Sequence, residues 1–243
     1  MRWCFATRAA LLETGLSPAT INRRLAALRS LVQLARLLGR VPWQLSIPGV
    51  EVSPYRDTRG PGKEGVKRLL AVLEGREDTK VCRDRAIVRL LFDLALRREE
   101  VVRLDLEDLD LRLGRVAVLG KKRTQKEWLS LPGPTRLALS DWCEARGEGP
   151  GPLFISLDRS RQARRLTGRS VHRIVRSLGK QAGLGVVRPH GLQHAAITEA
   201  LDLTKGNVRA VQRFSRHRDL RTLTIYDDNR QDLAGEIARQ LAG

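Results

Sequence analysis

His190-Gly191-Leu192-Gln193-His194, then Ser215-Arg216-His217, then Thr224-Ile225-Tyr226: these three short stretches near the end of the chain decide how it is read. The two histidines four apart fall on one face of a helix, and His217 stands nine positions before Tyr226. Far upstream, Arg97 follows an apolar run in Leu94-Ala-Leu-Arg97-Arg98-Glu-Glu100-Val. A His-x-x-x-His pair invites a zinc reading, but the metalloprotease pattern needs Glu after the first His, where this chain has Gly191. No cysteine or third histidine is close enough in sequence to complete a tetrahedral set.

The same residues suit another chemistry. Breaking a phosphodiester by covalent catalysis takes a nucleophile, donors that stabilise the pentacovalent phosphorane, and an acid for the leaving oxygen. Of the two tyrosines, Tyr55 lies in a Pro/Gly-rich stretch, while Tyr226 follows helical sequence and precedes the polar Asp227-Asp228-Asn229-Arg230. Of the two, Tyr226 is the better candidate nucleophile, although a tyrosine near a C-terminus is by itself more often structural. A lone Arg97–Glu100 spacing would otherwise read as a surface helix pair worth a few tenths of a kcal/mol.

Taken in order, Arg97, the basic turn Gly120-Lys121-Lys122-Arg123, the His190–His194 stretch, His217 and Tyr226 resemble the active site of the tyrosine recombinases, the phage-integrase family. The resemblance implies a mainly α fold with a small antiparallel β-sheet, and a catalytic domain preceded by a short helical core-binding domain. It implies site-specific DNA recombination through a 3′-phosphotyrosyl intermediate, with neither cofactor nor metal. In that reading Arg97, His190 and His217 act at the phosphate, and His194 packs. Lys121 protonates the leaving 5′ oxygen, with Lys122 and Lys126 as alternatives because hairpin loops differ in length. The residue before His217 is Gly in most relatives and Arg216 here.

One position departs from the family pattern. Where H-x-L-R-H carries its second catalytic arginine, this chain has Gln193. A guanidinium presents five fixed donors and a permanent charge, an amide two neutral donors. Loss of one preorganised donor typically lowers a rate by about 10²–10³. Three readings follow: a weakened enzyme, a charge supplied by Arg188 or Arg216, or an amide that suffices. The rival function is a non-cleaving DNA-binding protein of the same fold.

Composition agrees with a nucleic-acid partner. The chain has 243 residues and a net charge of +18, with 45 Lys and Arg against 27 Asp and Glu; such a surface faces polyanions. Arginine, the better bidentate phosphate ligand, accounts for 37 of the 45. Double-stranded DNA is the expected partner. No run approaches the roughly 18 apolar residues of a membrane span, and the start lacks a signal-peptide core, so a cytoplasmic protein is expected. Cys4, Cys82 and Cys143 lack metal or disulfide spacing and read as free thiols.

Charge and turn residues divide the chain. Residues 1–60 carry 9 basic and 3 acidic side chains, residues 61–243 carry 36 and 24, so the shorter piece is the more basic per residue. The expected divisions are a helical DNA core-binding domain over 1–50, short for its family, a linker over 51–62, and a catalytic domain over 63–243. Ser17-Pro18 opens a helix as N-cap and first helical residue. Behind it Ile21, Leu25, Leu28, Leu31, Val32, Ala35 and Leu38 form a stripe, with Arg23 and Arg24 placed to meet phosphates. Lys122 and Arg123 are further candidate DNA contacts. Helical patterns are expected over 64–74, 78–96, 99–104, 135–146, 167–182, 190–201 and 207–213, and a hairpin from 115–119 and 128–131. Beyond Tyr226, Leu233, Ile237 and Leu241 recur at i, i+4, i+8. In the family such tails dock on a neighbouring protomer, which implies a homo-tetramer on DNA.

Overall fold

The computed structural model describes residues 2–51, 60–75, 78–120, 123–147, 149–158, 164–217, 219, 220, 223, 239 and 242, with the backbone alone over 2–7. The chain divides into two compact units, Met1–Tyr55 and Arg56–Gly243.

In the first unit, α1 (Arg2–Glu13) is followed by α2 (Pro18–Leu37). The Ser17 hydroxyl accepts a hydrogen bond from the Thr20 amide and Pro18 occupies the first turn, as the cap signature required. Ile21, Leu25 and Ile47 form its small core, flanked by Leu11, Leu16, Leu45 and Val50. Asn22 fastens the return segment by exchanging two 2.7 Å hydrogen bonds with the Val50 backbone. The second half of the expected stripe is different: Leu31 and Leu38 stay exposed, because the partners of this core cover only the first turns of α2. The sequence reading also missed α1, whose apolar residues lack a clean helical period. Arg23 and Arg24 are both exposed on α2.

The second unit holds α3 (Gly62–Ala71), α4 (Thr79–Asp93), α5 (Arg98–Arg103), β1 (Leu109–Asp110), β2 (Arg115–Leu119), β3 (Lys126–Ser130), α6 (Gly133–Arg146), α7 (Gly168–Gln181), α8 (Pro189–Leu203) and α9 (Val208–Ser215). It is mainly helical, with an antiparallel sheet in the order β1-β2-β3. Val116 pairs with Leu129 and Ala117 with Trp128. Sequence patterning located the β2–β3 hairpin but not β1, two residues long and too short for any alternation to show. The Arg115 guanidinium stacks 4.3 Å above the exposed Trp128 ring, covering an apolar face on the edge strand.

Helix α4 is buried nearly all round, as a central helix must be. Ile87, Val88, Leu90 and Leu91 are fully enclosed, each worth about 1.5–3 kcal/mol of transfer free energy. It packs on α6 and α8. Trp142 anchors the far side, stacked on Phe154 with its indole N–H on the Leu153 carbonyl at 2.9 Å.

Two backbone features adjoin the first turns of α8. Helix α4 stops at Asp93, three residues before the apolar run ends, and Ala95 turns through a left-handed conformation at φ 48°. That backbone costs about 1–2 kcal/mol for a residue with a Cβ. The turn is held by hydrogen bonds from Ala95 N to Phe92 O and from Leu96 N to Leu90 O. The second is a close approach: a Cβ on Gly60 would lie 1.8 Å from the Gly191 carbonyl oxygen. Only glycine lets the chain entering α3 pass against the first turn of α8.

Candidate active site

Arg97 is the N-cap of α5, extended at φ −73°, ψ 149°. Glu100, three residues on, accepts from the Arg97 backbone N–H at 2.9 Å and from its Nη1 at 2.8 Å. The carboxylate closes the helix end and aims the guanidinium together. From sequence this pair could have been a solvated one. The structure buries the Glu100 side chain to 4% exposure and adds a second guanidinium: Arg216 Nη2 lies 3.2 Å from Glu100 Oε2.

Arg216 follows α9 in a left-handed conformation, φ 56°, which explains why glycine suits this position. Its Nη1 donates to Leu94 O and Phe214 O, and its Nη2 to Ala95 O as well as to Glu100. Burial pulls its pKa down while the Glu100 charge pushes back. Arg216 is thus a clamp inside the protein, tying the end of α9 to the Leu94–Leu96 turn and to the carboxylate that holds Arg97.

Gln193 also reaches that turn. Its Nε2 donates to Ala95 O at 3.0 Å, and its Oε1 faces His190 Nδ1 at 3.3 Å. A carbonyl only accepts, so the amide orientation is settled by Ala95, and His190 must carry its proton on Nδ1. His190 Nε2 meets His194 Nε2 at 2.7 Å, the two rings edge to face with centroids 4.0 Å apart. Desolvation at the cleft wall lowers the His190 pKa, Gln193 raises it, and the Arg97 charge lowers it further. The ring therefore stands in its neutral form at pH 7.

His217 is neutral for a stronger version of the same reason. Desolvation, then the positive charges of Arg97 and Arg216 and the proximity of His190, bring its pKa down to about 4. Its tautomer is legible too. Ser215 Oγ donates its proton to Val211 O at 2.7 Å, so it accepts from His217 Nδ1 at 2.8 Å. The unfolded chain binds more protons than the folded one between that pKa of about 4 and the ordinary value of 6.5, so stability rises with pH across this interval. The urea midpoint should fall as pH drops through it, and His217→Gln should flatten the slope. Equal slopes in both proteins would contradict a buried neutral ring.

Arg97, His190, Gln193 and His217, drawn from α5, α8 and the segment after α9, line one cleft of about 730 Å³. Arg98, Arg103, Arg188 and His172 line it with them. Arg103 lies six residues after Arg97 along α5, and His172 comes from α7; neither stood out in the sequence, because nothing local marks them. Arg98 is paired with Glu99 at 2.7 Å. Leu119, the last residue of β2, also lines the cleft. Lys121, Lys122, Tyr55, Tyr226 and the apolar tail positions Leu233, Ile237 and Leu241 lie outside the described residues. Arg123 is exposed and pairs with Glu127 at 2.7 Å. Lys126, one alternative to Lys121, is bound to the buried carboxylate of Asp108.

The cleft can hold a phosphodiester between guanidiniums beside two neutral imidazoles. Comparisons with known proteins point to the same chemistry. Residues 62–232 match the phage integrase family. A tyrosine recombinase of Synechococcus elongatus is 43% identical over 247 residues, spanning 100% of this chain and 76% of its own length. A tyrosine recombinase of Synechocystis is 40% identical over 239 residues, with 97% and 76% covered. Among solved structures, the XerH site-specific recombinase bound to its palindromic difH substrate superposes with a TM-score of 0.76 at 19% identity, covering 96% of this chain and 70% of that one.

Proposed function

This chain belongs to the phage integrase family, and from that premise we propose how its own residues carry out the reaction. It is a tyrosine-type site-specific DNA recombinase. Tyr226 gives its phenolic proton to the neutral His190 ring and attacks the scissile phosphorus, the P–O5′ bond breaks, and a 3′-phosphotyrosyl bond forms. Lys121 gives its proton to the departing 5′ oxygen. Strand joining is the reverse: an incoming 5′ hydroxyl returns a proton to the lysine and displaces the tyrosine oxygen. The bond energy is kept in the phosphotyrosine, so the reaction needs neither a metal nor ATP.

The observation that carries this assignment is the convergence of Arg97, His190, Gln193 and His217 on one basic cleft. Arg97, aimed by Glu100, binds a phosphoryl oxygen through a preorganised fork. His190 is in its base form and its Nε2 is shared with His194, which suits it to exchange a proton beside the phosphate. A proton for the leaving oxygen then has to come from a group that is charged at neutral pH, and this favours a lysine. Lys126 is engaged by Asp108, which leaves Lys121 and Lys122, and Lys121 follows directly on Gly120. DNA contacts by Arg23, Arg24, Lys122 and Arg123 add the phosphate grip outside the cleft. We read residues 1–50 as the core-binding domain, 51–62 as a linker and 63–243 as the catalytic domain, a reading supported by the division of the chain into compact units after Tyr55.

The test is a nicked DNA substrate that lets the cleaved fragment diffuse away and traps the intermediate. Incubation with this chain should give a protein–DNA adduct that survives denaturation. Its absence both from this chain and from Gln193→Arg, on DNA that each demonstrably binds, would overturn the assignment.

A second feature supports assembly on DNA. Phe92 of α4, Ala196, Ala200 and Leu203 of α8, and Val211 and Phe214 of α9 line an apolar groove of about 380 Å³. Leu203 is largely exposed there. We assign this groove to the tail of a neighbouring protomer, in whose sequence Leu233, Ile237 and Leu241 recur at i, i+4 and i+8, in a tetramer on two DNA sites. Truncation after Arg230 should then abolish synapsis while leaving simple DNA binding intact. Unchanged synapsis in native gels would remove the idea.

A further inference from the structure

Resting on the recombinase reading above, we propose that Arg188 supplies the second guanidinium of the active site, the charge that Gln193 does not provide.

The structure narrows the candidates by what each cleft residue is already doing. Gln193 is neutral, and its two polar atoms face Ala95 O and His190. His190 and His217 are neutral at physiological pH. Arg216, the other arginine that sequence reasoning put forward, is buried with both terminal nitrogens committed to Leu94, Ala95, Phe214 and Glu100, and it does not line the cleft. It braces the site and cannot reach a phosphate without leaving a buried carboxylate short of a partner. Arg98 is held by Glu99. Two guanidiniums of the cleft remain without a hydrogen bond or ion pair to any described residue, Arg188 and Arg103.

Between these, position decides. Arg188 immediately precedes Pro189-His190 and caps the helix whose first turns carry His190 and Gln193. A residue before proline is confined to extended backbone, and Arg188 has φ −120°, ψ 151°. Its side chain therefore starts from a fixed point beside the two residues it would assist. Arg103 sits at the opposite end of α5 from Arg97, about 9 Å along the helix axis at 1.5 Å per residue.

Arg188 is also a poor choice for local structure. The N-cap position favours Ser, Thr, Asp or Asn. Arg188 makes no side-chain cap, and the first turn of α8 has no acidic residue, so its charge opposes the positive end of the helix dipole. A residue that breaks a local rule with no local gain points to a functional demand. A guanidinium that meets the phosphorane only when DNA is bound would be such a demand. The pair Arg188/Gln193 then does the work of one arginine on α8, with the charge moved five residues toward the N-terminus and an amide left to hold His190 and the Ala95 turn.

Adduct formation on saturating nicked DNA tests this, with DNA affinity measured separately. Arg188→Ala should slow cleavage by about 10²–10³-fold with affinity changed less than about tenfold. Arg188→Lys should recover only part of the rate, because a point charge lacks the planar fork. Gln193→Arg placed in the Arg188→Ala protein should restore cleavage to within about tenfold of the unaltered chain. The proposal is overturned if Arg188→Ala cleaves at the unaltered rate, or if its loss is the same factor with Gln or Arg at 193. It is equally overturned if Arg103→Ala shows that coupling instead. No adduct from the unaltered chain but a clear one from Gln193→Arg would also overturn it, while leaving the recombinase reading standing. No adduct from either on bound DNA would overturn that reading as well.

Discussion

Tyr226→Phe is expected to abolish the covalent protein–DNA adduct, lowering cleavage by at least about 10⁴-fold, with DNA affinity nearly unchanged. The substitution removes one oxygen atom. The phenyl ring keeps the apolar body of the side chain, so packing and DNA contacts made by other residues stay in place. What is lost is the atom that bonds to phosphorus, and the sequence holds one other tyrosine, Tyr55, in the Pro/Gly-rich stretch. Cleavage by water in its place would give free DNA ends and no adduct. The measurement is a denaturing gel of adduct against time on a nicked substrate, beside a binding titration at fixed salt, because affinity for DNA changes steeply with ionic strength. An adduct that persists in the Phe protein would move the nucleophile elsewhere.

Glu100→Ala is expected to damage both stability and cleavage. The carboxylate is nearly fully buried and bridges two guanidiniums, at 2.8 Å from Arg97 and 3.2 Å from Arg216. Breaking a buried pair by removing one partner leaves the other charge uncompensated, typically at a loss of about 3–5 kcal/mol. In a chain of this length that corresponds to a drop in Tm of roughly 10 °C. The second effect is on geometry. Without Glu100 the Arg97 guanidinium loses its orientation, and cleavage should fall by about 10²-fold or more even at a temperature where the protein is folded.

A second substitution separates the two effects. Arg216→Gly in the Glu100→Ala protein removes the stranded buried cation and relieves the left-handed backbone at φ 56°. Thermal stability should recover in part, while cleavage stays low because Arg97 is still unbraced. Recovery of cleavage along with stability would show that Glu100 acts through folding alone. Glu100→Gln, which can still accept from the Arg97 amide, should fall between the extremes in stability.

The sequence carried much of this protein by local rules. Ser17-Pro18, Asp78, Thr167 and Asn207 sit as N-caps where their side-chain oxygens meet backbone N–H groups within three residues. The β2–β3 hairpin showed in its alternation. The types and order of the reactive residues identified the chemistry, because a phosphotyrosine reaction requires a tyrosine, donors and an acid whatever the fold around them. Where a helix ends was less legible. The apolar run through Leu96 suggested a continuous α4, but the Ala95 turn is held open by Gln193 and Arg216, partners 98 and 121 residues away.

By itself, then, the sequence determined the family, most of the helical elements and the main candidate groups, all of which depend on residue type and on spacings within a turn or two of helix. Only the tertiary structure decided what each charged group is free to do. It made Glu100 a buried brace for two arginines, turned Arg216 inward, set the tautomers of His190 and His217, and left Arg188 facing the cleft. Those outcomes depend on burial and on hydrogen bonds between segments about a hundred residues apart, and pairings over such distances leave no periodic trace in a single chain.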